Sequence, residues 1–500
     1  MRALISPQTM RTCEQKYFQT SGVTSLEMME SAARALTDAI LTRYPPAHNI
    51  FIACGPGGNG GDGYACARML REAGRSCRAF YSAPASAPDA VANASRAIAS
   101  GVSVREASRA ERYPAPDLWL DCLYGTGLSR APEGDAAALI QRMNRDRALG
   151  AKLVAADIPS GLNGHSGARY EPCVRADLTV ALQLSKYGHY LAHGLDLCGE
   201  IAVAPLGFPS AAFPEDLPRL VEPRDLRALF SPRARNIHKG NCGHLLIVAG
   251  SVGMAGAAAL CARAALRAGA GLVSVACPEG VVPIVQTLAP CAMCVPLPQR
   301  GGALSPSALE SLQAALRGKD AVVAGCGLSR RAPAEILRAV LECGLPAVID
   351  ADALNLLSEH PEYRSLLRPR HLLTPHPGEA ARLLGRPCSD PVRDARALQT
   401  LGATAVLKGA SRVVSGAGKT YLSASGGCGM ARGGSGDIFA GLLGALLAEK
   451  SDRSYVESAA AACELHGLAG ELAQKKYGPR AMNAADLLEF FPEVFARYVD

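Results

Sequence analysis

The sequence predicts an α/β protein with two doubly wound domains, each a mainly parallel sheet with helices on both faces. Short apolar runs typical of buried strands alternate with helical segments in both halves of the chain. At 500 residues, the chain is longer than one hydrophobic core usually organises. Between the two alternating patterns lies a stretch rich in proline, with Pro205, Pro209, Pro214, Pro218 and Pro223. We therefore predict a first domain over residues 1–208, a linker over 209–222 and a second domain over 223–500.

Composition and charge narrow the classes of partner. The 52 basic and 45 acidic residues give a net charge of +7, without a Lys/Arg cluster of the kind that binds nucleic acid. Anions the size of a nucleotide are therefore the expected partners. The N-terminus lacks the apolar segment of a signal peptide, and the most apolar run, 255–276, is interrupted by Arg263 and Arg267. These features, together with 17 scattered cysteines, favour a cytoplasmic protein that does not bind membranes.

The first half begins with two helical segments between Thr9 and Thr42, followed by an apolar strand at 49–54. The strand runs into a glycine loop, 55–63, and then into the helical segment 64–70. Strand, glycine loop and helix in this order are typical of nucleotide sites. The loop lacks the GxGxxG spacing and the ribose-binding acid of an ordinary dinucleotide cofactor site, so we expect it to serve a different ligand.

Acidic side chains recur at the ends of the strands in this half. Asp62 lies in the glycine loop, and Asp121 and Asp157 each end an apolar run. The carboxyl ends of parallel strands meet at one crevice of the sheet, where ligands bind. One such aspartate could simply cap a helix or a turn, but three of them favour a shared site that also includes Asn59 and Ser160. Oxygen ligands of this kind suit a hard cation such as K⁺ or Mg²⁺.

The second half repeats the alternation, with apolar strands at 244–249, 320–324, 346–350, 371–374 and 403–407. A glycine-rich run then starts at Ser425, ends at Asp437 and leads directly into an apolar helical segment. Free N–H groups at such a helix start favour a bound anion, as does the helix dipole. Asp437 among them could take the proton of a hydroxyl that attacks a phosphate held in the loop. Taken alone, the run could also be a flexible loop with Asp437 as the helix cap.

Three segments, 55–63, 121–128 and 157–162, resemble the signature stretches of the NAD(P)HX epimerase family. That family has a Rossmann-like three-layer domain and interconverts the R and S forms of hydrated nicotinamide nucleotides. The resemblance implies that K⁺ is bound by Asn59, Asp121 and Ser160, and that Asp157 is a catalytic residue facing the nicotinamide. It also implies substrate contacts at Asp157 and at Gly58, Asn59, Gly60, Gly61, Asp62, Gly125, Thr126, Gly127, Leu128, Ser129, Arg130 and Ala131.

The second half carries, in order, DADALN at 350–355, TPHPGE at 374–379, LKG at 407–409 and GGSGD at 433–437. This set resembles the ADP/ATP-dependent NAD(P)HX dehydratase family, which has a ribokinase-like fold. Together the two resemblances cover nearly the whole chain, in the order found in the bifunctional NAD(P)H-hydrate repair enzyme family. The implied substrates are NADHX, NADPHX and ADP, and we expect a homo-oligomer.

The second resemblance implies that the hydroxyl of the hydrated ring is phosphorylated from ADP and then eliminated as phosphate. Asp437 would act as the catalytic base, and Mg²⁺ would bridge the phosphates of the nucleotide. Positions that match contacts to the hydrated substrate are Ala257, Gly327, His376 and Asp437. Positions that match nucleotide contacts are Lys408, Gly409, Ala410, Ser411, Arg412 and Gly436.

The chain departs from the family patterns at two positions. Gly58 replaces the first of two asparagines that are usual in the epimerase family, so any contact there would be made by the backbone. Cys326 replaces the proline of a usual Gly-Pro-Gly, while Gly325 and Gly327 are kept. We expect this second change to alter the stiffness of the loop without loss of function. Lys186 matches a lysine near the end of the epimerase domain.

Two other hypotheses stay open. A kinase for a vitamin precursor or sugar would phosphorylate an alcohol and stop there, although the epimerase-like half has no evident use for such an activity. Alternatively, the N-terminal half could be a non-catalytic module that only binds a nucleotide or another ligand.

Overall fold

Two units of the chain pack separately, and the computed structural model describes them over residues 1–500. The N-terminal unit is Ala3–Leu217, and the C-terminal unit is Pro218–Asp500 together with Met1–Arg2. The functional domain limits at 208 and 223 stay a prediction. No helix is both long and apolar enough to cross a lipid bilayer.

The N-terminal unit alternates strands and helices along the chain. Its elements are β1 (Arg2–Ile5), α1 (Pro7–Ser21), α2 (Ser25–Arg43), β2 (Asn49–Cys54), α3 (Gly58–Glu72), β3 (Ser76–Tyr81), α4 (Pro88–Ala99), β4 (Ser103–Glu106), β5 (Leu118–Cys122), α5 (Gly134–Ala148), β6 (Lys152–Ala156), β7 (Leu178–Leu182), β8 (Ser185–Lys186), α6 (Gly194–Leu197) and β9 (Glu200–Ala204). The two helices and the strands expected before Asp157 are therefore confirmed.

Seven parallel strands form the sheet of this unit in the order β4-β3-β2-β5-β6-β7-β9. Alternate residues of β2 enter different cores, because side chains of a strand point to opposite faces. Ile50 and Ile52 pack with one buried cluster, and Phe51 and Ala53 pack with another. The strand order reverses direction between β2 and β5, and such a reversal opens a crevice at the carboxyl ends of the strands.

The C-terminal unit has the same alternation. Its elements are β10 (Arg219–Leu220), α7 (Pro223–Leu226), β11 (His244–Val248), α8 (Ala255–Arg267), β12 (Leu272–Pro278), α9 (Val282–Leu288), β13 (Met293–Leu297), β14 (Gln299–Arg300), β15 (Ala303–Leu304), α10 (Ala308–Leu316), β16 (Ala321–Ala324), α11 (Ala334–Glu342), β17 (Ala347–Ile349), α12 (Asp352–Glu359), β18 (His371–Leu373), α13 (Pro377–Leu384), α14 (Pro391–Gln399), β19 (Thr404–Leu407), β20 (Arg412–Gly416), β21 (Lys419–Ser423), α15 (Ser435–Ala448), α16 (Tyr455–Tyr477) and α17 (Leu487–Tyr498).

The large sheet of this unit has the order β13-β12-β11-β16-β17-β18-β19-β20-β21-β10. The strands from β13 to β19 are parallel, whereas β20 pairs antiparallel with both β19 and β21. The sequence did not predict this hairpin of β20 and β21. The predicted α/β class with parallel sheets is confirmed in both units.

Close packing of α15 on α8 depends on small residues. Gly441 of α15 lies where an added Cβ atom would overlap the carbonyl oxygen of Cys261 in α8. Gly444, one turn later, lies where a Cβ would overlap the side chain of Val323 in β16. The absence of a side chain at these positions lets α15 approach both α8 and the sheet. The helix that begins at the glycine-rich run is therefore held firmly against the strands.

Gly441→Ala should destabilise the C-terminal unit by about 1–3 kcal/mol, because the added methyl group must push α15 away from α8. Urea-induced unfolding measures this change. Gly256→Ala in α8 is the matched control, since no atom lies within 4 Å of its added Cβ. That control should leave stability unchanged or raise it by up to about 1 kcal/mol. Equal destabilisation by both substitutions would contradict this account of the packing.

Candidate active sites at the strand ends of each unit

The N-terminal unit has a cavity of about 560 Å³ at the carboxyl ends of β2 and β5. Its wall includes many of the residues that the sequence predicted: Gly58, Asn59, Asp62, Gly125, Thr126, Gly127, Leu128 and Asp157. Lys186 lines it as well. The exposed residues Ser129, Arg130 and Ala131 continue the loop, and Asp121 and Ser160 are fully buried without lining the cavity.

Two glycines of α3 permit the loop to fold as it does. An added Cβ at Gly60 would overlap the carbonyl oxygen of Gly55 in the preceding loop. At Gly61 it would meet the side chain of Met29 in α2. The predicted extent of the loop, 55–63, is wrong, because α3 already begins at Gly58 and only residues 55–57 precede it. This short loop packs against the first turn of α3, which lies at the cavity. Neither glycine lines the cavity, so the substrate contacts at Gly60 and Gly61 stay a prediction.

Asp157 is fixed by contacts on its carboxylate and on its backbone. Its Oδ1 atom accepts hydrogen bonds from Lys186 Nζ at 2.5 Å and from the Leu182 backbone N–H at 2.9 Å. The residue has a backbone φ of 63°, an unusual conformation for a non-glycine residue. His189 Nε2 lies 2.7 Å from the Asp157 carbonyl oxygen, and its Nδ1 accepts from the Lys186 backbone N–H at 3.2 Å. Asp157, Lys186 and His189 thus form one buried network.

The protonation of His189 follows from its surroundings. Burial lowers the pKa of His189 to about 4, so the ring is neutral at physiological pH. Because Nδ1 accepts from the Lys186 N–H, the single ring proton is assigned to Nε2, which donates to the Asp157 carbonyl. Lys186 is 1% exposed and gives the network its one positive charge.

Asp121 and Ser160 form a second buried group. The Asp121 carboxylate accepts from the Ser160 hydroxyl and backbone N–H, both at 2.7 Å, and from the Leu123 N–H at 3.1 Å. Burial nevertheless raises the pKa of Asp121 to about 6. Asn59 Nδ2 is buried without a hydrogen-bond partner. A buried carboxylate without a cationic partner is a feature that a bound cation would compensate, whereas the Asn59 Nδ2 donor requires an acceptor.

In the C-terminal unit, candidate site residues gather where α15 begins. Lys408 Nζ donates to Asp350 Oδ1 at 2.6 Å. An added Cβ at Gly436 would lie 3.5 Å from Lys408 Nζ and 3.8 Å from Asp350 Oδ2, so the first turn of α15 faces this pair. Asp437 is the next residue of that turn. The sequence placed Lys408, Gly436 and Asp437 in the site and left Asp350 outside it, whereas the structure brings all four together.

The charges and the burial around the Asp437 carboxyl group suit the role of a general base. Burial raises the pKa of its carboxyl to about 6, and the negative charge of Asp350 acts in the same direction. A hydrogen bond with the Cys326 thiol and the charge of Lys408 oppose this rise. Asp437 is therefore mostly ionised at neutral pH, with a proton affinity higher than that of an exposed aspartate. The cysteine that departs from the family pattern thus lies against the predicted catalytic residue.

The other predicted substrate positions lie at neighbouring strand ends. Gly327 has a φ of 62°, and its added Cβ would lie 3.0 Å from the Ala257 side chain in α8. His376 caps α13, with Nδ1 accepting the Gly378 N–H at 3.0 Å, and its side chain is largely exposed. Glu379 in the same helix is buried, and burial raises the pKa of its carboxyl. No role was predicted for Glu379 beyond its place in the TPHPGE motif.

Side chains of α16 hold the glycine-rich run before α15. Glu464 accepts from the hydroxyls of Ser423 at 2.8 Å and Ser425 at 2.6 Å, and burial raises the pKa of Glu464 to about 7. Further along the helix, Glu471 and Gln474 accept backbone N–H groups of the run at 2.9 Å and 2.8 Å. The sequence did not predict these roles. A signal was present, since charged residues in so apolar a helix need partners.

Arg412 and His466 connect the hairpin to the start of α15. The buried guanidinium of Arg412 donates to the Ser425 carbonyl at 2.9 Å and lies 3.1 Å from His466 Nδ1. His466 Nε2 lies 3.1 Å from the Ser435 carbonyl oxygen. Gly409 and Ala410 are exposed beside them, whereas Ser411 is buried. Among the predicted nucleotide contacts, Arg412 is thus turned toward the glycine-rich run, and its contact with a nucleotide stays a prediction.

Comparison with known proteins assigns a family to each half of the chain. The family described as NAD(P)H-hydrate dehydratase matches residues 245–493, and the YjeF-related protein N-terminus family matches residues 25–188. A protein of Coxiella burnetii named bifunctional NAD(P)H-hydrate repair enzyme Nnr is 36% identical, and the match covers 93% of this chain and 94% of that protein. The protein of the same name from Escherichia coli is 35% identical over 95% of this chain and 91% of its own length.

A solved structure resembles part of the chain. The ribokinase-like superfamily protein of Enterococcus faecalis is 25% identical, with a TM-score of 0.50. The match covers 56% of this chain and 96% of that protein. The ribokinase-like fold expected for the C-terminal half is thereby confirmed.

Proposed function

This chain belongs to the family of bifunctional NAD(P)H-hydrate repair enzymes, and we propose that it restores NADHX and NADPHX to NADH and NADPH. The N-terminal unit interconverts the R and S forms of the hydrate. The C-terminal unit dehydrates the S form with ADP, releasing AMP and phosphate. The observation that carries this proposal is Asp437 at the start of α15, beside the ion pair between Lys408 and the buried Asp350.

The chemistry of the hydrate defines what each unit must do. A dihydronicotinamide ring contains an enamine, and water adds to the ring carbon next to the nitrogen. That carbon becomes a stereocentre, which accounts for the R and S forms. Hydroxide leaves poorly, whereas phosphate is a good leaving group. Repair therefore requires phosphorylation of the hydroxyl, and a hydroxyl must lose its proton as it attacks a phosphate.

Asp437 is the base in this step. Its ionised carboxylate takes the hydroxyl proton while the oxygen attacks the terminal phosphoryl group of the nucleotide. The N–H groups at Gly434–Gly436 and the start of the α15 dipole stabilise the phosphoryl group during transfer. The lone pair of the ring nitrogen then expels phosphate, and loss of a proton from the next carbon restores the double bond.

Nucleotide binding involves the loop after β19. Lys408, Gly409, Ala410, Ser411 and Arg412 are the proposed contacts, together with Gly436, and Ala257, Gly327 and His376 are proposed to contact the hydrate. Arg412 supports the site through Ser425 and His466. Mg²⁺, when bound, would neutralise charge between the phosphates, and the buried carboxylate of Glu379 is an oxygen donor of the kind it takes.

In the N-terminal unit, Asp157 is proposed to face the reacting ring. Loss of the hydroxyl would leave a positive charge shared between the ring nitrogen and the adjacent carbon, and a neighbouring carboxylate stabilises such a charge. Lys186 and Leu182 hold the carboxylate in position. The residues at Gly58–Asp62 and Gly125–Ala131 are proposed to bind the rest of the substrate. Asn59, Asp121 and Ser160 would hold K⁺, which would compensate the buried Asp121 charge.

We also propose a cytoplasmic setting, in which the 17 free cysteines would stay reduced. The homo-oligomer stays a prediction.

The donor and the reaction are tested together by incubating the protein with S-NADHX and either ADP or ATP. With ADP we expect NADH and an equal amount of released phosphate, because phosphorylation serves only to expel the hydroxyl. NADH absorbance and a phosphate assay follow the two products. A stable phosphorylated hydrate without NADH would show that the protein is a kinase and would overturn the proposal.

Separate substitutions should remove the two activities independently. Asp437→Asn should reduce dehydration by at least about a hundredfold, because the amide cannot accept the hydroxyl proton, and should leave epimerisation intact. Asp157→Ala should abolish epimerisation above the spontaneous rate and leave dehydration of the S form intact. Chromatographic separation of the R and S forms and NADH absorbance measure the two activities. Loss of both activities from one folded variant would contradict the division of labour.

Dehydration should depend on the protonation of Asp437. The pKa of this carboxyl is raised to about 6, and its ionised form is the active base. Activity should therefore be constant above that pH and fall roughly tenfold per unit below it. Cys326→Ala removes a hydrogen bond that lowers this pKa, so its acid limb should move to higher pH. Initial rates of NADH formation across the pH range provide the measurement, and an unchanged limb in Cys326→Ala would refute the role of the thiol.

A further inference from the structure

One wall of the N-terminal cavity is formed by α1, a helix for which the sequence predicted no site residue. Met10, Arg11 and Glu14 lie on one face of this helix and line the cavity together with Asp62, Asp157 and Lys186. We propose that Glu14 is a catalytic residue of the N-terminal site, the proton donor that lets the hydroxyl of the hydrate leave as water. This inference rests on the proposed epimerase function.

More carboxyl groups than cations line the cavity around Glu14. Three carboxyl groups line the cavity, from Glu14 in α1, Asp62 in α3 and Asp157 after β6. Lys186 of β8 is already paired with Asp157 at 2.5 Å. Asp62 is only 9% exposed, yet its carboxyl group accepts no hydrogen bond and makes no ion pair. A buried, unpartnered carboxyl beside two others favours retention of a proton within the group.

The direction of the pKa shifts agrees with this charge count. Burial raises the pKa of Glu14, as does the charge of Asp157, while Lys186 and Arg11 act against the rise. Burial raises the pKa of Asp62 still further, and the charges of Asp157 and Glu14 add to it. Cys13 on α1 is the other titratable group that interacts with Glu14.

Glu14 suits the role of donor better than Asp62 does. A proton donor must hold its proton at rest and yet tolerate the negative charge that remains after transfer. Two cations, Lys186 and Arg11, interact favourably with an ionised Glu14. Asp62 is affected by burial and by two negative charges, so ionisation there is opposed on every side. Glu14 is also less buried than Asp62, which lets it recover a proton from solvent.

Glu14 transfers its proton to the hydroxyl as the carbon–oxygen bond breaks, and the hydroxyl leaves as water. The lone pair of the ring nitrogen forms a carbon–nitrogen double bond, so the ring carries a positive charge near Asp157. Water then adds to the opposite face of the ring and gives its surplus proton to Asp157, and exchange with solvent restores both carboxyl groups. In the reverse direction the two carboxyl groups exchange roles.

The test compares Glu14→Gln, Asp62→Asn and a matched control, Glu106→Gln, in the full-length protein. Glu106 is an exposed residue at the end of β4, away from the cavity. The kcat and KM for conversion of R-NADHX to the S form are measured by chromatography across the pH range. Thermal unfolding and dehydration of S-NADHX show whether each variant is folded.

For Glu14→Gln we expect kcat to fall by about a hundredfold or more, with little change in KM, because glutamine fills the same space without an acidic proton. The wild-type rate should decline as pH rises through the raised pKa of Glu14, and this decline should be missing from the residual rate of the variant. Glu106→Gln should match the wild type in both rate and pH profile.

Two results would overturn the inference. One is a folded Glu14→Gln variant that keeps the wild-type kcat and pH profile. The other is loss of the high-pH decline in Asp62→Asn but not in Glu14→Gln, which would make Asp62 the donor. Failure of the proposed function is distinguishable from both, because in that case the wild-type protein itself would not accelerate epimerisation.

Discussion

A lysine–aspartate ion pair with a buried carboxylate, at the ends of parallel strands, is the interaction on which each site depends. Lys186 of β8 contacts Asp157 after β6, and Lys408 after β19 contacts Asp350 after β17. Removing a carboxylate charge from water alone costs several kcal/mol, on the order of the whole stability of a domain, so each aspartate requires its lysine. Because the partners come from different parts of the chain, each pair also fixes the position of one strand end relative to another. Loops that differ in sequence are thereby held in a fixed position at each candidate site.

The same pairs determine how the remaining carboxyl groups behave. Each lysine is committed to its aspartate, so Asp62 in one unit and Asp437 in the other are affected mainly by burial and by nearby negative charge. Both pKa values rise for that reason, but to different extents. Lys408 and the Cys326 thiol oppose the rise at Asp437, which therefore ionises near neutral pH. Burial and both neighbouring negative charges raise the pKa of Asp62, so this carboxyl group retains a proton in the cavity.

Local patterns predicted the fold and the strand-end residues well, because a glycine loop or an aspartate that directly follows a strand has its position set by that strand. The glycine run before α15, Asp157 and Lys408 are of this kind. Contacts formed between distant segments carried no such signal. Glu14 lies in α1, whose apolar residues have the spacing of any amphipathic helix. Nothing in the neighbouring sequence shows that Glu14 faces a cavity. Arg412 is similar, since only the tertiary structure turns its guanidinium toward Ser425 and His466.

The two proposed reactions place opposite demands on a carboxyl group, and the structure meets them with the same components. Epimerisation needs a group that gives a proton to a departing hydroxyl, whereas phosphorylation needs a group that takes one from an attacking hydroxyl. Burial and the charge of Asp157 keep the proton on Glu14, and two cations lie close enough to stabilise the Glu14 carboxylate once the proton has been transferred. Near Asp437, a lysine and a thiol limit the effect of burial, so the carboxylate is already free to act. The balance between burial with neighbouring negative charge on one side and these favourable contacts on the other therefore decides whether the carboxyl group acts as an acid or as a base.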